Sequence, residues 1–465
     1  MDATTRALTS IVLFSGIALV GCGSSSKKEV ATEKSVEAPK EDPTIRGVQS
    51  GRVEILSKDE KLVKIWKVKA ESSDLNIREQ GSVAGQFQTV TGETFGFNKK
   101  TNATEVQNTF QADVADADQK SQKLILRKNV KIESADGKRV LTADSVDWKS
   151  KDRALVARGN AIVNSDGITT GPYPVLLLAP DLKKYGTPDL FRNDPTMKLL
   201  AATLAGAMLT ASPTITDDEG SLFVRYRSGG VTSLTDKQID FDVTGKPVEA
   251  ILKKQNLKVY GNRIVGTVKD DNEGTKYLSL ADIMGGVRVN LAKTELVSGK
   301  KSSRETTVTG SNAKWVGTPK SGELALTGNV VLTSALKDST QWLQVKATRA
   351  NVTLDLTPGT TDSVKEGILS GPITFQLRSK TSTSGGTEQS EVTGSASKIT
   401  FVSGMQEILL SGGVNIRRVT IPPTGKKQAL NFTADTVRVI LDSQGQIKSV
   451  MAEGEPGTQE TREGN

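Results

Sequence analysis

Residues 324–332 read LALTGNVVL. Leu324, Leu326, Val330 and Leu332 keep one parity across the polar Thr-Gly-Asn step, and a strand places same-parity side chains on one face. The phrase recurs at residues 124–132 with Leu124, Leu126, Val130 and Ile132, and at residues 408–416 with Ile408, Leu410, Val414 and Ile416. A second phrase accompanies it: a small residue, two of any kind, an apolar residue, one more, then a larger apolar one. It stands at Ala143-x-x-Val146-x-Trp148, Gly310-x-x-Ala313-x-Trp315, Ala347-x-x-Ala350-x-Val352, Ala396-x-x-Ile399-x-Phe401 and Ala434-x-x-Val437-x-Val439. Each phrase is a ribbon with one apolar side and one wet side. Repetition with almost no helix between predicts an all-β scaffold of repeated short strands with an apolar inner surface.

Val287, Val330, Ile373 and Val414 occupy equivalent places roughly forty residues apart, a period that means stacked supersecondary units. Composition agrees. The 465 residues allow two domains, and 36% apolar content with a mean hydropathy of −0.31 suits two-faced β structure better than one compact globule. Glycine is abundant, at 43, and Thr, Ser and Asn crowd the segments between apolar runs, as many turns require. The net charge of +8 arises from 61 basic and 53 acidic residues without a long basic run. It gives solubility and agrees in sign with anionic groups such as lipid phosphates; no nucleic acid is expected.

The chain has no histidine, which removes the usual general base near neutral pH, His-containing triads and His-ligated metal sites. Its single cysteine allows neither an intramolecular disulfide nor a thiolate cluster. No catalytic residue, metal or cofactor is expected. That cysteine, Cys22, ends Leu19-Val20-Gly21-Cys22 after an apolar run from Ala7 to Val20 with Arg6 before it. Residues 1–22 therefore read as a secretory signal, too short for a comfortable spanning helix. Its end resembles the bacterial lipobox, which implies lipidation of Cys22. Residues 23–50 read as a flexible linker, too polar to bury a core. The expected location is the bacterial cell envelope, on the periplasmic side, with the chain anchored to a membrane by lipid.

The body divides into a β domain at 51–170, an insertion at 171–220, a longer β-repeat domain at 221–450 and a polar, disordered tail at 451–465. The insertion opens on Gly171-Pro172-Tyr173-Pro174. Asp194-Pro195 then starts a helix from Met197 to Leu209, Asp serving as cap and Pro as first residue. Its expected role is to cover an open sheet edge or end, with contact to a membrane as the alternative. The β domain holds two copies of the phrase, Leu155, Ala157, Ala161 and Val163 matching Leu124, Leu126, Val130 and Ile132. Asp136-Gly137 supplies a hairpin turn.

Thr142-Ala143-Asp144-x-Val146-x-Trp148 followed by Ala157-Arg158-Gly159-Asn160-Ala161-x-Val163 resembles the LptC/LptA/OstA-like lipopolysaccharide transport family. Residues 324–332 and 433–439 resemble the same OstA-type repeat. The resemblance implies a twisted, partly open antiparallel β-jellyroll whose inner face shelters acyl chains. It implies lipopolysaccharide or a related lipid as ligand, moved towards the outer membrane through units stacked edge to edge. It also implies other lipopolysaccharide transport proteins as partners, through edge-strand pairing. The lipobox, the insertion and the length of the second block depart from the family pattern and leave open whether the role is acceptor, bridge or both. Groove candidates are Leu124, Leu126, Val130, Ile132, Ala143, Val146, Trp148, Leu324, Leu326, Val330, Leu332, Ile399, Phe401, Val414, Ile416, Val437 and Val439.

Cations beside the repeats, Lys128, Lys131, Arg139, Arg158, Arg417 and Arg418, are candidates for a lipid head group or are simply solvated outer faces. Two rival readings stand: a polysaccharide-cleaving β-helix enzyme using paired carboxylates, and a structural envelope lipoprotein with a shut core. Against the first, Asp144 and Asp435 sit beside the small residue of a phrase and read as turn polar groups. The strand near Phe432–Leu441 is expected to dock a partner by β-augmentation.

Overall fold

The computed structural model describes residues 44–465 except 79–80, 99–100, 150–152, 205–211, 254–256, 272–275, 298–299, 337–340, 358–363, 384–385, 403–406, 425, 442–446, 455–456 and 463–465. The signal segment, Cys22 and the first part of the linker lie outside the described residues. Among the described residues, 25 strands form one antiparallel sheet, with a 3-10 turn at Pro188–Phe191 and one α-helix, α1 (Lys198–Leu204).

The strands that carry the repeated phrases are long and bent rather than short. The LALTGNVVL phrase lies inside β18 (Ser321–Leu336), and the second phrase forms the middle of its neighbours β17 (Lys300–Gly317) and β19 (Gln341–Asp355). The ladder shifts between Thr309 and Asn312 on one side of β18 and between Thr327 and Val330 on the other. At the shift Gly328 and Asn329 adopt φ +78° and +49°. Left-handed conformations cost most residues about 1–2 kcal/mol and cost Gly and Asn little, which is why this step reads Gly-Asn. The same left-handed pair is Lys128-Asn129 in β6 (Lys123–Ser134), Gly159-Asn160 in β8 (Ala154–Ser165), Gly285-Gly286 in β16 (Lys276–Val297) and Gly412-Gly413 in β22 (Glu407–Ile421).

Neighbouring strands bend together at this corner, each a bulged strand against the next. The polar residue after the small one sits over the corner glycine: Ser311 Oγ donates to the Gly328 carbonyl at 3.1 Å, and Ser397 Oγ to that of Gly412 at 2.7 Å. Asp144 lies against Gly159 and Asp435 against Gly454 in the same manner. The two-residue step preserves parity, so both arms of a strand present apolar residues to one interior. In β6, Leu124, Leu126, Val130 and Ile132 are buried, while Lys128 and Asn129 at the corner are exposed. Gly137 closes the hairpin to β7 (Arg139–Lys149), its N–H donating to Ser134 O at 2.8 Å.

Residues 171–220 are less an insertion than a part of the sheet. β9 (Ile168–Leu178), β10 (Tyr185–Gly186), β13 (Ser228–Thr235), β14 (Gln238–Leu252), β12 (Leu222–Arg225) and β11 (Thr214–Asp217) pair in that order and close on β9, a six-strand barrel. One edge of β9 is shared: Ile168–Gly171 pairs with β11, and Leu177 and Leu178 with β10. One edge of β14 is divided likewise between β13 and β12. Pro172 and Pro174 mark the first division and Pro247 the second; a residue without an N–H cannot donate to a ladder.

The helical part covers a sheet face, not an edge. Phe191, Met197 and Ala201 pack on Ala154, Val156, Val175 and Leu177, the outward side of β8 and β9. Asp194 caps as expected, accepting from the amides of Thr196 at 3.1 Å and Met197 at 3.2 Å.

The first and last described strands extend the sheet. β1 (Thr44–Ser50), inside the stretch read as linker, and β2 (Val53–Lys58) lie end to end on β3 (Lys64–Arg78). β24 (Ile447–Glu453) and β25 (Gly457–Arg462), the latter within the polar tail, do the same on β23 (Gln428–Leu441). β23 is thus paired on both edges, by β22 on one side and by β24 and β25 on the other. The strand expected to dock a partner is not a free edge.

Candidate functional site

Register turns the inner face into rows running across the strands. One row in the first half is Phe87, Ala115, Leu126, Val146, Ala157 and Leu176, taken from β4 (Val83–Asn98) and β5 (Ala103–Asp118) through β9. The next is Ala117, Leu124, Trp148, Leu155, Leu178 and Tyr185. Every residue in both rows is buried, alongside Val130, Ile132 and Ala143. Large and small side chains alternate, and the interior there is filled by the protein itself.

The corresponding rows in the second half begin the same way and end differently. One runs Ala313, Leu326, Ala350, Leu369, Ile399, Leu410, Val437 and Ala452, through β20 (Val364–Thr383) and β21 (Gly386–Val402) to β24. The other runs Trp315, Leu324, Val352, Gly367, Phe401, Ile408, Val439 and Val450. Trp315 and Leu324 are buried; Val352, Phe401, Ile408 and Val439 are only half-buried, and Val450 is 56% exposed. On the other arm of the same strands, Val308, Leu332, Val345, Phe375, Gly394, Ile416 and Phe432 are in register. Leu332, Phe375, Ile416 and Phe432 are half-buried there, while Val330, Val414 and Val437 beside the corners are buried. The Phe375 ring occupies the space a Cβ on Gly394 would need, so it lies along the face. At strand spacing, the rows from β17 to β24 span about 34 Å.

The large continuous core reaches Leu326, Val330 and Leu354 but then gives way to two small clusters, one around Val345 and Ile373 and one around Val414 and Val437. Burial thus declines toward β24. Toward the barrel it is complete. Tyr173, Tyr185 and Tyr226 lie in the continuous core with Phe241, each at most 2% exposed. The Tyr173 and Tyr226 hydroxyls hydrogen-bond to each other, and that of Tyr185 lies 3.3 Å from Thr170 Oγ1. Burial raises the pKa of all three. For Tyr185 it prevails over the Thr170 hydrogen bond and the positive charge of Arg139, pushing the phenol up to about 12.

The cations separate by parity. Lys131 and Arg158 alternate with the buried residues of their strands and face outward. Lys131 pairs with Glu133 at 3.1 Å beside a hollow of about 300 Å³ lined by Lys67, Lys69 and Glu93, where charges of both signs meet. Arg139 is buried on the inner side and held by Asp136 at 2.6 Å. Arg417 points outward, whereas Arg418 shares the parity of Val414 and Ile416 and is exposed, opposite Val392 and Leu430. The barrel tyrosines, Phe375, Phe432 and Val450 were not among the sequence candidates. Phe432 and Phe375 carry the same alternation as their neighbours and were legible; the tyrosines follow no period.

Among the described residues no helix is long and apolar enough to cross a membrane, and no three acidic or cysteine side chains gather as a metal site. No protein-family model matches the chain, and no curated protein matches it either.

Proposed function

We propose that this chain is a non-enzymatic lipid carrier, sheltering acyl chains of lipopolysaccharide or a related lipid on the inner face of a β-jellyroll, as the LptC/LptA/OstA-like resemblance implies. The observation that carries the reading is the half-covered apolar face from β19 to β24, above all Phe375, Ile399, Phe401, Phe432 and Val439. Apolar side chains in a soluble ribbon normally find a partner, and burial of each methylene of a bound chain stabilises by about 0.8 kcal/mol. Corner bulges repeated between successive strands from β14 to β23 provide the curvature an open groove needs. A lipid anchor at Cys22 and docking to other transport proteins belong to the same proposal.

The filled interior of β3 to β9 favours a second reading for that half: a packed interaction module that supports the carrier half without holding lipid. Extraction of the purified full-length protein and mass spectrometry of the extract tests the proposal. Acyl-chain lipid should copurify, and Ile399→Asp or Phe432→Asp should reduce its amount several-fold. Absence of such lipid, or equal amounts in the variants, would refute the carrier reading.

A further inference from the structure

We infer that the apolar face of β17 to β24 is a trough with a single mouth, at the edge formed by β24 and β25, and that the closed barrel stops its other end. An acyl chain with an acidic head group therefore enters and leaves by the same opening, its head group meeting Arg418. The inference rests on the carrier reading above and adds a direction and a head-group contact to it.

Three observations carry it. First, the inner face is continuous from β14 through β15 (Leu257–Asp270) to β24, but its barrel end is filled by Tyr173, Tyr185 and Tyr226, whose hydroxyls are already hydrogen-bonded. Displacing them would break those bonds and expose buried rings, so a chain cannot pass from one half to the other. Second, coverage of the rows is lower away from the barrel, apart from buried residues such as Val345, Leu410 and Val437, and it ends on the exposed Val450, where no strand follows along the row among the described residues. Third, the apolar rows have a polar border on one arm. Beyond Phe375 and Phe432 stand Arg418 and then Gln341, Ser379, Ser390 and Thr420, successive in register. Arg304 donates to Gln341 Oε1 at 3.0 Å along the same border. An apolar floor with a cation at its edge is complementary to an anionic amphiphile and poorly suited to an apolar peptide or a neutral sterol.

The test uses the full-length protein and a palmitic acid whose chain carries a photoreactive diazirine. After irradiation, adducts are mapped by peptide mass spectrometry. Adducts are expected on β19 to β24, for instance at Phe375, Phe432 or Val450, and not on the inner residues of β5 to β9. Adducts at Leu124, Leu126 or Trp148 would overturn the single mouth while leaving the carrier reading intact. Adducts nowhere would remove the carrier reading and this inference with it. Arg418→Gln, a change at an exposed position, should weaken binding of the fatty acid about fivefold and leave the corresponding fatty alcohol unaffected. An equal loss for both would overturn the assignment of Arg418 to the head group.

Discussion

The corner of each strand can be tested by placing the same methyl group at two glycines that share a backbone conformation and differ in surroundings. Gly286 has φ +67° and open space where a methyl would stand, whereas Gly328 has φ +78° and Ser311 Oγ only 2.5 Å from that position. Ala at either site incurs the left-handed cost of about 1 kcal/mol, offset by roughly 0.5 kcal/mol from a less flexible unfolded chain. Gly328→Ala adds an overpacking penalty of about 2 kcal/mol, because both Oγ and Cβ of Ser311 must retreat against the bent ladder. Ser311→Gly removes both atoms. In the double variant most of that extra loss should return, apart from about 1 kcal/mol for the lost Ser311 bond to the Gly328 carbonyl. Urea unfolding followed by the fluorescence of the tryptophans, of which Trp315 lies on the same strand as Ser311, reads the differences. Equal losses for Gly286→Ala and Gly328→Ala, or a double variant no better than Gly328→Ala, would show that steric fit does not set the corner.

Tyr226→Phe strands the Tyr173 hydroxyl in the barrel and should cost about 1–3 kcal/mol; adding Tyr173→Phe should recover part of the loss, and a further loss in an equilibrium unfolding experiment would count against the proposed barrel core. Burial raises the Asp194 carboxyl, but Lys184, the Thr196 hydroxyl and the amides of Thr196 and Met197 prevail and hold it at about 2. Its folded pKa lies below the ordinary 3.8, so its contribution to stability is present above about pH 4 and lost as the pH falls toward 2. Asp194→Asn keeps a capping side chain while losing the charge. Between pH 5 and pH 2.5 the stability gap between wild type and this variant should narrow, as measured by limited proteolysis near α1; a constant gap would refute the assignment.

Strand parity was fully legible, because alternation survives the corner: two left-handed residues advance the chain without turning its apolar side outward. What the sequence could not announce is that Leu124 to Ile132 is one bent strand rather than two short ones, since a bulge and a turn both favour Gly and Asn. The barrel was hidden for a different reason. Tyr173 and Tyr226 meet across 53 residues, and β9 reaches β14 only through four short strands whose own apolar patterns are too brief to read. The polar stretch Gly457–Arg462 was hidden because it carries no apolar period; it joins the sheet through backbone groups, which complete the edge of β23 whatever the side chains are. Among the cations, parity alone already separated Arg418 from Arg417, and only burial could distinguish Arg418, exposed, from Arg139, enclosed beside Asp136.

The same phrases line a filled interior in one half and a half-covered one in the other, so the phrases do not decide whether the interior is hollow. Leu124, Leu126, Val130 and Ile132 are as apolar as Ile408, Leu410, Val414 and Ile416, yet only the first set is buried throughout. The difference lies in what stands at the ends of the rows. The first half is held between Ile55, Trp66 and Val68 at one end and the barrel tyrosines at the other, with Trp66 Nε1 donating across to Gln122 O at 3.2 Å. Among the described residues the second half is held by the barrel alone. Away from it Trp315 still packs over Gly322 and donates to Leu278 O at 2.8 Å, but beyond β18 the rings of the inner face, Phe375, Phe401 and Phe432, are only half-buried. Where both ends of such a sheet are plugged its interior packs shut; where, among the described residues, one end carries no plug, similar ribbons leave their apolar surface half-covered, and the carrier proposal rests on that surface.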